Sequence, residues 1–158
     1  MINHIKDTYP EEGCGALIGK ENNIRLVKKV IPIENKVEKL KTRRYVIDPE
    51  DIINVEKKAK EEKLELLGFF HSHPNAPAEP STFDLEHSWP WYSYIIISIN
   101  HKEVSNIIQE EITLASWRLK DDRSKFDEEE LIKYKEMLDD ELITQEDFDA
   151  KKKELLGL

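Results

Sequence analysis

The sequence predicts an α/β protein built on a mixed sheet with a helix on each face. Apolar runs typical of strands outnumber helical patterns, and a helical pattern separates consecutive strands at least twice. This alternation fits a helix-covered sheet better than an all-β sandwich. A chain of 158 residues can bury one main core and carry a small appendage, but it is too short for two ordinary domains.

Strand candidates follow one another along most of the chain. The first two, CGALIGK from Cys14 and NIRLVKKVIPI from Asn23, flank a polar turn and predict an antiparallel hairpin. A polar loop over residues 35–44 then leads into a short predicted strand, RYVI. The later strand candidates are LELLGFFHSH, YSYIIISI and EITLASWRL.

The clearest helix begins after Asp48, which is a typical N-cap residue. Pro49 suits the first helical position, and acidic residues in the first turn favour the helix dipole. Three apolar residues recur at helical spacing and predict one buried stripe: Ile52, Val55 and Ala59. A second, short helix is predicted from Ser81 to about His87.

Charge and composition exclude several classes of function. The net charge is −9, and residues 121–158 contribute 14 acidic and 7 basic side chains, a net of −7. An acidic chain without a basic stripe argues against nucleic-acid binding, which depends on phosphate neutralisation. The sequence shows neither a membrane-spanning run nor a secretory signal, so we expect no membrane association and a cytoplasmic location. Cys14 is the single cysteine, so any metal must be held by histidine and carboxylate.

The candidate site lies in the stretch HSHPNAPAEPSTFD. His71 and His73 stand two positions apart on a predicted strand, so both side chains project from the same face. A catalytic zinc needs three protein ligands, and Asp84 is the natural third, because the intervening prolines restrict the linking turn. The alternative is structural: Ser81 and Asp84 also form a plausible capping box, and a histidine pair can simply be packed in a core.

These residues resemble the JAMM, or MPN+, family of zinc metalloproteases. The stretch fits the family signature H-x-H-P-x6-S-x2-D, and EEGCGALIG resembles its E-x-x-G-x-x-x-G element. The resemblance covers roughly residues 9–120 and implies that His71, His73 and Asp84 bind zinc. It also implies that Ser81 stabilises an oxyanion and that Glu12, on an early strand, holds the attacking water. Glu11 is out of register by one position, which on a strand means the opposite face.

The resemblance to this family, in its compact prokaryotic form, implies both a fold and an activity. The fold would be a mostly antiparallel, curved sheet of the cytidine-deaminase-like type, flanked by helices. The activity would be zinc-dependent hydrolysis of peptide or isopeptide bonds after the C-terminal Gly-Gly of ubiquitin-like or sulfur-carrier proteins. An alternative is a non-catalytic module that binds or assembles ubiquitin-fold partners. Zinc deaminase chemistry on nucleobases is excluded because the chain has no P-C-x-x-C element.

The chain divides into a catalytic domain over residues 1–122 and a C-terminal helical hairpin over residues 126–158. The tail is similar to the short SHOCT module, which implies docking or formation of a homo-oligomer through the hairpin; an ordinary solvated hairpin is the alternative. Lys36, Lys39, Lys41, Arg43 and Arg44 form a local basic cluster that either contacts an acidic partner or is simply solvated.

Several further residues are assigned structural roles. Cys14 is expected to be a small core residue rather than a site residue. His87 is interpreted as an ordinary residue at a helix end, with a contact to the metal ligands as the alternative. Trp89 and Trp91 flank Pro90 and are predicted to serve mainly in packing.

Overall fold

The computed structural model describes residues 1–104, 107–129 and 144. In this part of the chain it has three helices and six strands, and no described helix is long and apolar enough to cross a membrane. The elements are α1 (Ile2–Thr8), β1 (Cys14–Glu21), β2 (Arg25–Ile33), α2 (Pro49–Glu61), β3 (Glu65–Pro74), α3 (Thr82–His87), β4 (Ser93–Val104), β5 (Ile107–Leu119) and β6 (Phe126–Glu129).

The strands form one sheet in the order β2-β1-β3-β4-β5-β6. Four of the five neighbouring pairs are antiparallel, and only β3 and β4 run parallel. A parallel pair needs a crossover, which the proline-rich turn and α3 provide. The prediction of a mixed, mostly antiparallel sheet flanked by helices is confirmed.

Each face of the sheet has its own apolar core. On one face, Val55 and Ala59 of α2 pack with Phe69 and Tyr94 of the central strands. On the other face, Ile5 of α1 packs in a cluster that includes Leu17, Phe70, Ile95, Ile97 and Ile99. The sequence did not indicate α1, because a seven-residue helix is too short to show a periodic pattern.

The predicted start of α2 is confirmed in detail. Asp48 has extended backbone geometry, and its side chain accepts a hydrogen bond from the Glu50 N–H group at 2.9 Å. Pro49 occupies the first turn, where no intrahelical N–H partner is needed. This cap fixes where the loop that follows β2 ends and where α2, which packs on the sheet, begins.

Two segments differ from the prediction. The run RYVI is not a strand, because its backbone bonds go elsewhere: Val46 N–H donates to the Asn35 side chain, and the Val46 carbonyl accepts from Lys36 N–H. Residues 126–129 form β6 against β5 rather than starting a hairpin. The predicted hairpin otherwise falls on residues 130–158, which apart from residue 144 lie outside the described residues, so its docking or assembly role stays a prediction.

Gly68 allows β3 and β4 to approach closely, and its replacement tests the sheet. A Cβ at this position would lie 1.9 Å from the Ser93 carbonyl oxygen, a backbone atom that cannot turn aside. We therefore expect Gly68→Ala to lower the free energy of unfolding by about 2 to 3 kcal/mol, measured by urea denaturation. Glu65→Ala, an exposed change on the same strand, is the control; equal stability of the two variants would contradict the expectation.

Candidate metal centre and cleft

The central strand β3 brings the two predicted histidine ligands together. His71 and His73 are both buried, and their Nε2 atoms lie 2.9 Å apart. The strand is held between antiparallel β1 and parallel β4, so the alternation of its side chains is fixed by hydrogen bonds on both edges. The two imidazoles therefore converge on one point without any loop rearrangement.

Asp84 reaches the same point from the first turn of α3. Its Oδ1 atom lies 3.3 Å from His71 Nε2, and its Oδ2 atom lies 3.7 Å from His73 Nε2. Ser81 caps α3 in a complete capping box: its Oγ accepts from Asp84 N–H, and its own N–H donates to Asp84 Oδ2 at 2.7 Å. Asp84 therefore takes part in the capping box and also lies beside the two histidines, so the two interpretations of the sequence hold together.

The protonation of the two histidines is set by their surroundings. His73 Nδ1 lies 2.8 Å from the Pro77 carbonyl oxygen, which can only accept, so Nδ1 carries the proton and Nε2 presents its lone pair to the cluster. Burial lowers the pKa of His71 to about 4, which keeps its imidazole neutral at physiological pH. His71 Nδ1 has no hydrogen-bond partner in the described part of the chain.

Asp84 is ionised in this cluster. Burial acts to raise its pKa, but the hydrogen bond that a protonated His73 donates and the two bonds from Ser81 outweigh burial and lower the pKa well below its usual range. For His73 the opposite balance holds: burial lowers the pKa, yet the interactions with Asp84 and the Pro77 carbonyl raise it overall. An anionic carboxylate beside two imidazole nitrogens is a typical donor set for a divalent metal.

The distances among these side chains fit a tetrahedral metal site. The ligand atoms of His71, His73 and Asp84 all lie within 4.8 Å of one another. With metal–ligand bonds of about 2.0 to 2.1 Å, two ligands of a tetrahedral zinc stand about 3.3 Å apart. The two Nε2 atoms are 2.9 Å apart, and each has a different Asp84 oxygen as its neighbour, at 3.3 Å and 3.7 Å. An ion held by these three side chains would keep one coordination position for another ligand, as catalytic zinc sites do.

Glu12 lines a cleft together with His73 and Asp84. The sequence predicted that Glu12 lies on a strand, but the structure places it before β1. It is only 5% exposed. The cleft has a volume of about 650 Å³ and includes His73, Ser81 and Asp84 among its lining residues. Burial raises the pKa of Glu12 to about 8, with the charge of His73 acting against this shift and that of Asp84 adding to it.

The backbone around Glu12 is fastened to the histidine strand. Gly13 N–H donates to Ser72 Oγ at 2.9 Å, and Ser72 N–H donates to the Gly13 carbonyl at 2.9 Å. Ser72 is fully buried between the two ligand histidines, and its side chain points away from them as the strand pattern predicted. These two bonds hold Glu12 beside the metal cluster although it is far from it in sequence.

Two neighbours of Glu12 have other positions. Glu11 is exposed and pairs with Lys41 at 3.8 Å. Cys14 is completely buried and lies opposite His71 in the β1–β3 ladder. Burial raises the pKa of the Cys14 thiol to about 12, so it acts as a small core residue and not as a nucleophile.

Tyr45 is a neighbour of the cluster that sequence reasoning missed. Its ring stacks on His71 with centroids 4.3 Å apart. With Val46, Phe83 and Trp89 it also lines an apolar cavity of about 260 Å³ that reaches Asp84. Its position in a segment read as a strand gave no signal of this contact, because the segment folds back through bonds to Asn35 and Lys36.

The remaining aromatic and histidine candidates lie outside the metal cluster. His87 Nδ1 bonds to the Phe83 carbonyl at 2.8 Å, as an ordinary residue at the end of α3 does. Trp89 and Trp91 stack on each other and are 51% and 57% exposed, so they pack at the surface and not in the core of the sheet. Both residues lie in the connection between α3 and β4.

The family model for prokaryotic homologs of the JAB domain matches residues 1–120. This chain belongs to that family. The prokaryotic JAB domain thus covers every strand from β1 to β5 and all the residues of the cleft. A solution structure of a protein from Desulfitobacterium hafniense is 31% identical to this JAB-domain chain, with a TM-score of 0.68 over 84% of each chain.

Two relatives carry descriptive names. The chain is 34% identical to the desampylase of Haloferax volcanii over 90 residues. This aligned region covers 56% of this chain and 63% of the relative. The chain is also 34% identical over 93 residues to the probable TtuB-protein conjugate cleaving protease of Thermus thermophilus, which covers 59% of this chain and 60% of that protein. The aligned part of this JAB-domain protein therefore spans less than two thirds of either relative.

Proposed function

We propose that this protein is a zinc-dependent hydrolase that cleaves peptide or isopeptide bonds after the C-terminal Gly-Gly of a ubiquitin-like or sulfur-carrier protein. The observation that carries the proposal is the shared cleft, which a buried carboxylate, Glu12, lines together with His73 and Asp84 of the three-residue cluster. A metal site alone fits a structural role, but an added carboxylate that is not one of the clustered ligands fits hydrolysis. The names of the two relatives support cleavage of protein conjugates.

Each residue of the cleft has a distinct task in this proposal. His71, His73 and Asp84 would hold the ion, and zinc bound there would polarise the scissile carbonyl and lower the pKa of a coordinated water toward about 7. Glu12 accepts a proton from the attacking water and delivers it to the leaving amine. Burial raises the pKa of Glu12 to about 8 in the metal-free chain, and a divalent ion bound beside it would lower that pKa, so that Glu12 starts as a carboxylate that can take a proton and later release it.

Ser81 is proposed to stabilise the oxyanion, and the structure defines what this requires. Its hydroxyl proton is donated to Asp84 Oδ2 at 2.6 Å. A serine hydroxyl has only one proton, so the hydroxyl must turn from Asp84 toward the substrate oxygen. Ser81 is exposed and lines the cleft, so this rotation is sterically open.

The substrate terminus in this proposal is a slender one. Arg44 lies over the Phe83 ring, 5.0 Å from its centroid, so that the loop before α2 and the helix α3 stand close to each other beside the metal cluster. Glycine has no side chain, so a diglycine terminus needs the least room to lie beside this loop and α3. We therefore propose a diglycine terminus as the group that enters.

The test is cleavage of defined conjugates by the purified protein. We expect hydrolysis of at least one of a panel of diglycine-ended ubiquitin-fold conjugates, with the new terminus after Gly-Gly identified by mass spectrometry. A chelator should abolish cleavage and added Zn²⁺ should restore it, while a dialanine-ended conjugate should remain intact. One zinc per chain should bind the wild type and be lost in His71→Ala. Failure to cleave any conjugate in the zinc-loaded state would overturn the proposal.

A further inference from the structure

Asn35 joins Glu12 to the loop that forms one wall of the cleft. Its side chain is only 9% exposed and makes four hydrogen bonds. Nδ2 donates to the carbonyl oxygens of Glu12 at 3.0 Å and Arg44 at 2.9 Å, and Oδ1 accepts from the N–H groups of Val37 at 3.1 Å and Val46 at 3.2 Å. An asparagine amide offers two protons and two lone pairs, so every bonding position is used.

The partners of Asn35 are Glu12, which lines the cleft, and three residues of the loop over residues 36–46. Glu12 carries the carboxylate, and its N–H donates to the Lys41 carbonyl at 2.7 Å. Thr42 and Arg43, which follow Lys41 directly, line the cleft together with His73 and Asp84. The loop over residues 36–46 contains no helix or strand, so its hydrogen bonds to Asn35 and Glu12 replace a regular ladder in fixing its position.

We propose that Asn35 is a positioning residue, which sets the position of the Glu12 carboxylate relative to the 36–46 loop and thereby raises the rate of proton transfer without touching the substrate. The inference rests on the proposed function, because it needs a reaction in which Glu12 takes part. The donor half of the amide holds the carbonyls of Glu12 and Arg44, while the acceptor half orders the loop itself. One side chain therefore couples the base to the cleft wall.

Asn35→Asp separates the two halves of the amide. It keeps the size and both acceptor positions, but it replaces the donors with an oxygen that repels the carbonyls of Glu12 and Arg44. We expect kcat for conjugate cleavage to fall about 10- to 100-fold, with a smaller change in KM, because the base is displaced while the binding surface remains. The affinity for Zn²⁺ and the visible spectrum of the Co²⁺-substituted protein should stay the same, because Asn35 has no described bond to His71, His73 or Asp84.

A second measurement is independent of cleavage. In Asn35→Asp, amide hydrogen exchange at Glu12 should become at least about tenfold faster, while amides of β4 should keep their protection. Asn100→Asp is the matched control, because Asn100 also donates through Nδ2, to Ser98 Oγ at 2.9 Å, but contacts neither Glu12 nor the loop. It should leave kcat, KM and exchange at Glu12 unchanged. If Asn35→Asp does not fold, Asn35→Ser, which is too short to reach Glu12, should give the same pattern.

The outcomes separate this inference from the proposed function. Unchanged exchange at Glu12 would overturn it whatever the activity. Faster exchange at Glu12 with wild-type kcat would also overturn the inference, because the position of Glu12 would then not affect the rate. A loss of Co²⁺ spectral intensity equal to the loss of kcat would overturn it as well, because Asn35 would then serve the general stability of the protein. A wild-type protein that cleaves no conjugate would remove the proposed function and, with it, the role of Asn35 in a reaction, even where exchange responds as expected.

Discussion

Replacing Glu12 with glutamine is expected to lower kcat for conjugate cleavage by about 10²- to 10⁴-fold, the usual contribution of a general base. The amide has the same shape as the carboxylate but cannot accept the water proton. The backbone of residue 12 should keep its place, because its bonds to Lys41 and Asn35 are made by main-chain atoms. The measurement is steady-state cleavage with the metal content determined in parallel.

Two controls give this result its meaning. Glu11→Gln should cleave like the wild type, because Glu11 is exposed and pairs with Lys41 outside the metal cluster. Glu12→Gln should still bind one zinc and the uncleaved conjugate, since none of the three ligand residues has changed. If Glu12→Gln cleaves at the wild-type rate, or if it loses both zinc and conjugate binding, Glu12 is not the base. Preserved biological activity of an inactive variant would favour the non-catalytic binding module.

The metal cluster could be predicted from sequence because its information is local. His71 and His73 need only the period of a strand, and the turn to Asp84 is bounded by prolines and a helix cap, all of which are chemical features of neighbouring residues. The same reasoning located the start of α2 at Asp48. Where short-range chemistry fixes the backbone, the residues alone are enough to place the side chains.

The predictions that were wrong or missing concern residues whose contacts are distant in sequence. Glu12 was placed on a strand, but the ladder begins only at Cys14, and Glu12 is held instead by bonds of its neighbours to Ser72 and of its own backbone to the 36–46 loop. Asn35 looked like one polar residue of a loop, since nothing in its neighbours shows that its amide will be buried. A side chain whose partners lie up to 23 residues away leaves no periodic signal.

In protein stripped of metal by a chelator, Glu12→Gln is expected to be more stable than the wild type at alkaline pH. Burial raises the pKa of Glu12 from 4.5 to about 8 in the folded chain, so the folded state binds this proton more tightly than the unfolded state. The stabilisation from the protonated form is complete below pH 4.5 and is lost as the pH rises toward 8. Glutamine is neutral throughout, so the advantage of the variant should grow over that interval to roughly 4 to 5 kcal/mol.

Urea unfolding of both chelated proteins across that pH interval measures this difference. Groups that titrate in both proteins, such as His71 with its pKa lowered to about 4, largely cancel in the comparison. Glu11→Gln should differ from the wild type by less than about 0.5 kcal/mol at every pH, as an exposed substitution normally does. A constant difference between Glu12→Gln and wild type would show that Glu12 titrates near its ordinary value, and its proposed ability to hold a proton at neutral pH would then lose its physical basis.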